Sequence, residues 1–206
     1  MVGVTTNPAL VNADDRLVWI DLEMTGLDVD RDVIVEIAVL VTNGQLQLLD
    51  PEGLDLVVQA PAAALAAMDD VVVKMHTKSG LLTAIEASEL TLADALAQTL
   101  AYVQRFVPAP NIAPLCGNTI GMDRRFLNKY APELDEYLHY RSIDVSSLKE
   151  LCRRWYPDIY RQRPGKKETH RALDDIRESI EELRFYRQHL LVPARGVSDA
   201  PASETN

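Results

Sequence analysis

In the first part of the chain, apolar residues form short runs that predict β-strands. Later in the chain, the spacing of the apolar residues is typical of helices. Four early segments fit strands: 17–24, 32–42, 45–50 and 54–59. The pair Asn43-Gly44 is typical of a tight turn between two of them. We therefore expect the first three strands to form an antiparallel meander.

After Pro61 the apolar positions recur with a helical period. This spacing predicts the following helices: 62–68, 70–78, 92–106, a segment containing Asp123, 146–155 and 170–189. Short apolar segments at 113–116 and 140–144 predict further strands, and Thr91 and Ser146 are expected N-caps. Strands followed by alternating helices and short strands predict an α/β fold, in which helices flank a mixed sheet.

Composition narrows the class of protein. The chain has 206 residues, of which 47% are hydrophobic and 25% charged, as expected for one domain with an ordinary core. We expect a flexible arm over 1–15, a domain over 16–190 and a disordered tail over 191–206. No apolar run is long enough to span a membrane, and no secretory signal is visible. The prediction is a cytoplasmic protein with two reduced cysteines, Cys116 and Cys152.

The formal net charge of −10 bears on possible nucleic-acid partners. Broad binding to long nucleic acid depends on many contacts between basic side chains and phosphates, and this charge argues against it. A short nucleic acid held by metals and a small basic patch remains compatible with it.

Two acids interrupt the first apolar strand. Asp21 and Glu23 are two residues apart, so on a strand their side chains project from the same face. Burying two carboxylates side by side is costly, and a divalent cation is the usual compensation. The alternative is an exposed edge strand, because an acid pair at this spacing also occurs by chance.

A second group of candidates lies later in the chain. His170 and Asp174 are four residues apart at the predicted start of the last helix, which would place them on one helix face. Histidine titrates near neutrality and suits a general base. Asp123 opens another predicted helix. Each could equally be an ordinary helix-surface residue, but four carboxylates and a histidine together fit hydrolysis of a phosphodiester by two metal ions.

The order of these residues resembles that of the DEDDh 3′–5′ exonucleases in the ribonuclease H-like superfamily. Longer blocks resemble the oligoribonuclease family within it, and the resemblance extends from about residue 17 to 189. The blocks are WIDLEMTGL from Trp19, GNTIGMDRRF from Gly117, HYRSIDVS from His139, LKELCRRW from Leu148 and THRALDDIRES from Thr169.

The resemblance implies a ribonuclease H-like mixed five-stranded sheet and hydrolysis of very short RNAs, down to dinucleotides, to 5′-mononucleotides. It implies that two Mg²⁺ or Mn²⁺ ions are bound by Asp21, Glu23, Asp123 and Asp174, with His170 as the general base. It further implies a homodimer with shared active sites. The implied substrate-binding residues are Leu27 near the bases, His76 near the substrate, Tyr140 and Arg141 reaching the neighbouring site, and Thr119, Ser146 and Lys149 joining Arg141 at the 5′ phosphate.

Several of these assignments have simpler alternatives. His76 could be a buried core histidine, Tyr140 could serve dimer packing alone, and the basic loop 161–168 could be merely solvated. One departure from the family pattern is Val71, which stands where many members have a tryptophan that stacks on a base. Stacking contributes about 1–3 kcal/mol per base, so we expect either weaker base stacking here or a substitute contact from elsewhere in the protein.

Two other functions fit the same residues. One is a DEDDh exonuclease acting on longer chains, which the acidic charge and the matched 5′-phosphate segment disfavour. The other is a non-catalytic module that binds dinucleotides or metal, which the complete set of acids and histidine disfavours.

Overall fold

The computed structural model describes residues 15–165 and 170–191. In these ranges a five-stranded sheet is flanked by nine helices. The strands are β1 (Arg16–Met24), β2 (Ile34–Asn43), β3 (Leu54–Val57), β4 (Pro114–Gly117) and β5 (His139–Asp144). The helices are α1 (Ala62–Ala66), α2 (Asp70–Lys78), α3 (Leu81–Ala87), α4 (Leu92–Phe106), α5 (Gly121–Tyr130), α6 (Pro132–Tyr137), α7 (Val145–Trp155), α8 (Pro157–Arg161) and α9 (Ala172–Leu190).

Strand β1 lies at the centre of the sheet, whose order is β3-β2-β1-β4-β5. It pairs with β2 antiparallel and with β4 parallel, and β4 pairs parallel with β5. The predicted mixed five-stranded sheet is therefore confirmed. Because β1 and β4 run in the same direction, their carboxyl ends lie at one edge of the sheet, where ligands of open α/β sheets commonly bind.

The two faces of β1 contribute to different cores. Val18, Ile20 and Leu22 point into a core that includes residues of α4, α5 and α6. Trp19 points to the other side, into a core formed with α7 and α9, and its indole Nε1 donates to Thr42 Oγ1 at 3.1 Å. Alternation along the strand therefore places Asp21 and Glu23 on the α7–α9 side.

The predicted strand at 45–50 is wrong. Within that segment Leu48 forms only an isolated bridge with Thr42. The side-chain carbonyl of Asn43 accepts from the backbone N–H groups of Gln45 and Gln47, and Leu46 has a left-handed φ of 65°. These contacts fold the segment into a turn, so the third strand of the meander is β3.

Other predictions differ at element ends. Helices α3, α6 and α8 were missing from the prediction, and α6 and α8 each begin with a proline. The N-cap of α7 is Asp144, whose carboxylate accepts from the backbone N–H of Ser146, so the cap predicted at Ser146 is wrong. Most of the predicted arm and tail, and residues 166–168 of the basic loop, lie outside the described ranges. Within the described ranges no helix is long and apolar enough to cross a membrane.

The N-cap of α4 can be tested by substitution. Thr91 accepts from the backbone N–H of Asp94 at 3.1 Å, so Thr91→Ala should lower the free energy of unfolding by about 1 kcal/mol. Thr83→Ala is the control, because Thr83 is exposed within α3 and alanine favours helix. Urea denaturation measures both, and equal stability of the two variants would contradict the cap.

Candidate metal centre and active site

Three carboxylates converge beside the carboxyl end of β1. Asp21, Glu23 and Asp175 can each present one oxygen such that the three oxygens lie within 4.8 Å of one another. Two of these acids come from one strand face and the third from the first turn of α9. Such a set of hard oxygen donors suits a divalent cation.

Asp123 reaches the same place from the first turn of α5. The ladder between β1 and β4 pairs only Val18 and Trp19 of β1, so beyond Trp19 this side of β1 is not paired with β4. The Asp123 Oδ1 atom accepts from the backbone N–H of Leu22 at 3.1 Å, and Asp123 is buried. This hydrogen bond fixes a fourth carboxylate next to the pair on β1.

Burial and mutual repulsion act strongly on these acids. Desolvation, together with the nearby charges of Glu36, Asp175 and Asp123, raises the pKa of Glu23 to about 8 against the opposing charge of Arg171. Desolvation also raises the pKa of Asp123, although its hydrogen bond from Leu22 opposes the change. Both shifts indicate a site that holds negative charge unfavourably in the absence of a cation.

The structure places Asp174 away from this cluster. Its side chain is 51% exposed and approaches Arg177 at 3.9 Å. Consecutive helix residues differ in direction by about 100°, so Asp174 and Asp175 cannot face the same way. Asp175 shares its face of α9 with the buried Ser179 and Glu182, at spacings of four and seven residues.

The prediction placed His170 and Asp174 on one helix face, which requires a helix that contains both residues. Helix α9 begins at Ala172 with Arg171 as its N-cap, so His170 precedes the helix and the four-residue spacing rule does not apply. His170 has a left-handed φ of 50°. It lies close enough to His76 for the two imidazoles to interact electrostatically.

His76 is completely buried behind Glu23. Its Nε2 atom lies 2.9 Å from the carbonyl oxygen of Met24, which requires the proton on Nε2. The Nδ1 atom points at Glu23 Oε2 at 3.9 Å, and desolvation lowers the pKa of the ring. The ring therefore packs behind Glu23 without a hydrogen bond to it, and it has no exposed surface in this conformation.

A groove of about 300 Å³ opens over the carboxylates. Among the predicted substrate-binding residues, Leu27, Thr119 and Lys149 line it, and Leu27 is 65% exposed. Thr119 has a left-handed φ of 58° and donates its backbone N–H to Asp144. A hydrophobic side chain and a cation thus border the acids.

The remaining predicted residues lie around β5, the edge strand of the sheet. Tyr140 is 73% exposed, and the guanidinium of Arg141 lies 5.4 Å from the centre of its ring. Neither lines the groove of the same chain. Ser146 donates from both its backbone N–H and its hydroxyl to Asp144.

Val71, at the position where a stacking tryptophan is common in the family, is 75% exposed at the start of α2.

A polar network beside the groove was not predicted from the sequence. Glu182, buried in α9, accepts from Lys149 at 3.1 Å, from Tyr186 at 2.8 Å and from Asn118 at 3.2 Å. A usable signal was available, because Asp175, Ser179, Glu182 and Tyr186 follow a helical repeat of four, three and four residues. That stripe identifies Asp175 as the acid facing the sheet.

Comparisons with known proteins identify an exonuclease family and the same fold. Residues 18–183 match the RNase_T family, described as Exonuclease. Among solved structures, Pop2p from S. pombe in its Mg²⁺- and Mn²⁺-bound form has a TM-score of 0.63 at 14% identity, covering 84% of this chain and 83% of that chain. E. coli Exonuclease I in complex with a dA16 oligonucleotide has a TM-score of 0.60 at 12% identity, covering 85% and 41%. At such identities the likeness shows the fold alone.

Relatives in sequence are much closer. The chain is 55% identical over 192 residues to an oligoribonuclease of Streptomyces avermitilis, covering 93% of each chain. It is 55% identical over 184 residues to an oligoribonuclease of Mycobacterium bovis, covering 89% of this chain and 85% of that one. An exonuclease domain over most of the chain and this level of identity show that the chain belongs to the oligoribonuclease family.

Proposed function

We propose that this protein is a 3′-to-5′ exoribonuclease that hydrolyses short oligoribonucleotides, especially dinucleotides, to 5′-mononucleotides. The observation that carries the proposal is the convergence of Asp21, Glu23 and Asp175, with Asp123 beside them, in a member of the oligoribonuclease family. The cytoplasmic location stays a prediction from the sequence.

Two divalent cations, Mg²⁺ or Mn²⁺, are the proposed cofactors. Asp21, Glu23, Asp123 and Asp175 would hold them, with Asp175 replacing Asp174 in the ligand set. Four converging acids offer enough oxygen donors, and burial together with the charges of neighbouring acids raises the pKa of Glu23, which a bound cation would oppose. When bound, such ions lower the pKa of water and offset negative charge on the leaving oxygen.

The remaining roles belong to side chains of the protein. The imidazole of His170 takes the proton from the attacking water, and its position just before α9 places it on a segment tied to the site. Leu27 offers an apolar contact to a base. Lys149, held by Glu182, places a positive charge at the groove for a phosphate.

We further propose that the protein acts as a homodimer with shared sites. Support comes from Tyr140 and Arg141, which are exposed on the edge strand β5 and do not line the groove of their own chain. An exposed edge with an aromatic ring and a guanidinium suits contact with a second subunit. Each would then complete the neighbouring site, where Arg141 could grip phosphate oxygens with its planar fork.

The substrate assignment is tested by length. The protein with Mn²⁺ is given a 5′-phosphorylated RNA dinucleotide or a 20-mer, with Asp21→Ala as the control for contaminating nuclease. We expect rapid release of mononucleotides from the dinucleotide and slow attack on the 20-mer. Equal or faster trimming of the 20-mer would retain the catalytic residues and overturn the short substrate.

The identity of the fourth acid is tested by adjacent substitutions. Asp175→Asn should lower kcat by at least about 100-fold, because it removes a proposed metal ligand. Asp174→Asn changes the same charge on the neighbouring position, which is half-exposed, and should leave kcat within about threefold. The reverse ranking in a dinucleotide assay would restore Asp174 to the site.

Removing metal should make stability depend on pH. The pKa of Glu23 rises from an ordinary value of 4.5 to about 8 on folding, so between these values the folded state holds a proton that the unfolded state has released. The free energy of unfolding should therefore fall as pH rises through this window, by roughly 1.4 kcal/mol per pH unit for this one group, and level off above it.

Denaturation in EDTA measures this slope, and saturating Mn²⁺ should remove most of it. Glu23→Gln supplies the control, since its amide does not titrate and the slope should shrink. An unchanged slope in Glu23→Gln would show that another group is responsible.

Shared sites predict complementation between inactive variants. In a mixture of Tyr140→Ala and Asp21→Ala, a mixed dimer has one site with neither substitution. Equal amounts with complete subunit exchange should regain about one quarter of wild-type activity, since half of the dimers are mixed. No recovery, with exchange verified by mass spectrometry, would contradict sharing.

A further inference from the structure

Glu36 is a completely buried carboxylate that the catalytic scheme above does not use. It lies on β2 directly opposite Glu23 of β1, so both side chains project from the same face of the sheet. A buried charge is tolerated only where it is paired and hydrogen-bonded. The contacts of Glu36 therefore show what keeps it there.

Both oxygens of Glu36 are engaged by the start of α9. Oε1 accepts from Arg171 Nε at 2.7 Å and lies 2.6 Å from a terminal nitrogen of the same guanidinium. Oε2 accepts from the backbone N–H of Ala172 at 3.0 Å. Arg171 also approaches Asp55 of β3 at 3.7 Å. These contacts explain why Glu36 is not among the clustered ligand oxygens, although it lies beside Glu23.

The anchored residues lie directly between the proposed base and the proposed fourth ligand. His170 precedes Arg171 and has a left-handed φ of 50°, a conformation that costs free energy for a residue other than glycine. On the other side, the backbone N–H of Asp175 donates to the carbonyl oxygen of Arg171 at 3.0 Å. One carboxylate thus fixes the residues on which the positions of both His170 and Asp175 depend.

We propose that Glu36 is a positioning residue, which docks the start of α9 on the sheet and thereby sets His170 and Asp175 for the reaction. The inference rests on the proposed function of these two residues. It predicts that loss of the contact lowers kcat and metal affinity more than it lowers substrate affinity. Loss of an outer-shell partner of this kind typically costs about 10–100-fold in activity or metal affinity.

The test uses Glu36→Gln, which keeps the size of the side chain but cannot accept from three donors as a carboxylate does. We expect kcat on a dinucleotide to fall about 10–100-fold, with KM within about threefold and weaker binding of Mn²⁺ in a calorimetric titration. Arg171→Lys keeps the charge but loses the planar fork, and should reproduce the effect in part.

Val103→Ala is the control for a general loss of stability. Val103 is buried in α4 on the opposite side of the sheet, so this variant should lower Tm without changing kcat or Mn²⁺ affinity. The double variant Glu36→Gln/Arg171→Lys should be no slower than the slower single variant, because both act through one contact.

The possible outcomes distinguish failure of the positioning role of Glu36 from failure of the proposed function. If Glu36→Gln retains kcat and Mn²⁺ affinity within about twofold, or loses no more of them than Val103→Ala does, positioning by Glu36 is overturned. If Glu36→Gln does not fold, Arg171→Lys decides by the same criteria. If the wild-type protein hydrolyses no RNA, the proposed function fails, while Mn²⁺ affinity still decides whether Glu36 sets the ligand on α9.

Discussion

Repulsion among carboxylates at the end of β1 is the constraint on which the other features of the site depend. Asp21 and Glu23 share one strand face, Asp123 is fixed beside them, and Asp175 approaches from α9. Desolvation makes this concentration of charge expensive, as the raised pKa of Glu23 shows. The fold must therefore hold the acids together by contacts made elsewhere, and a divalent cation would relieve the repulsion.

Those contacts come from both sides of the sheet. A backbone N–H of β1 holds Asp123 where β1 and β4 separate, and His76, held by the carbonyl oxygen of Met24, fills the space behind Glu23. The start of α9 is docked by Glu36 through Arg171 and a backbone N–H. The parallel run of β1 and β4 brings their carboxyl ends to one edge, so the short connection from β4 to α5 suffices to place Asp123 beside β1.

Local patterns allowed prediction of much of the fold, but the start of α9 was predicted two residues too early. The apolar runs predicted β1, β2 and the mixed sheet, because side-chain alternation is a property of the strand itself. The stripe of α9 that contains Ser179 and Glu182 distinguishes Asp175 from Asp174. By contrast, the bond that anchors the helix start joins Ala172 to Glu36, 136 residues away in sequence, and no local pattern reports it. Likewise, the turn at 45–50 depends on side-chain contacts of Asn43, which hydrophobic periodicity does not report.

The proposed chemistry requires a metal centre held by Asp21, Glu23, Asp123 and Asp175. Anomalous scattering from crystals grown with Mn²⁺ tests it most directly, because the peaks locate the ions without assumption about their ligands. We expect peaks within bonding distance, about 2.0–2.4 Å, of oxygens from Asp21, Glu23 and Asp175. Peaks bound by Asp174, or no peak near the end of β1, would contradict it.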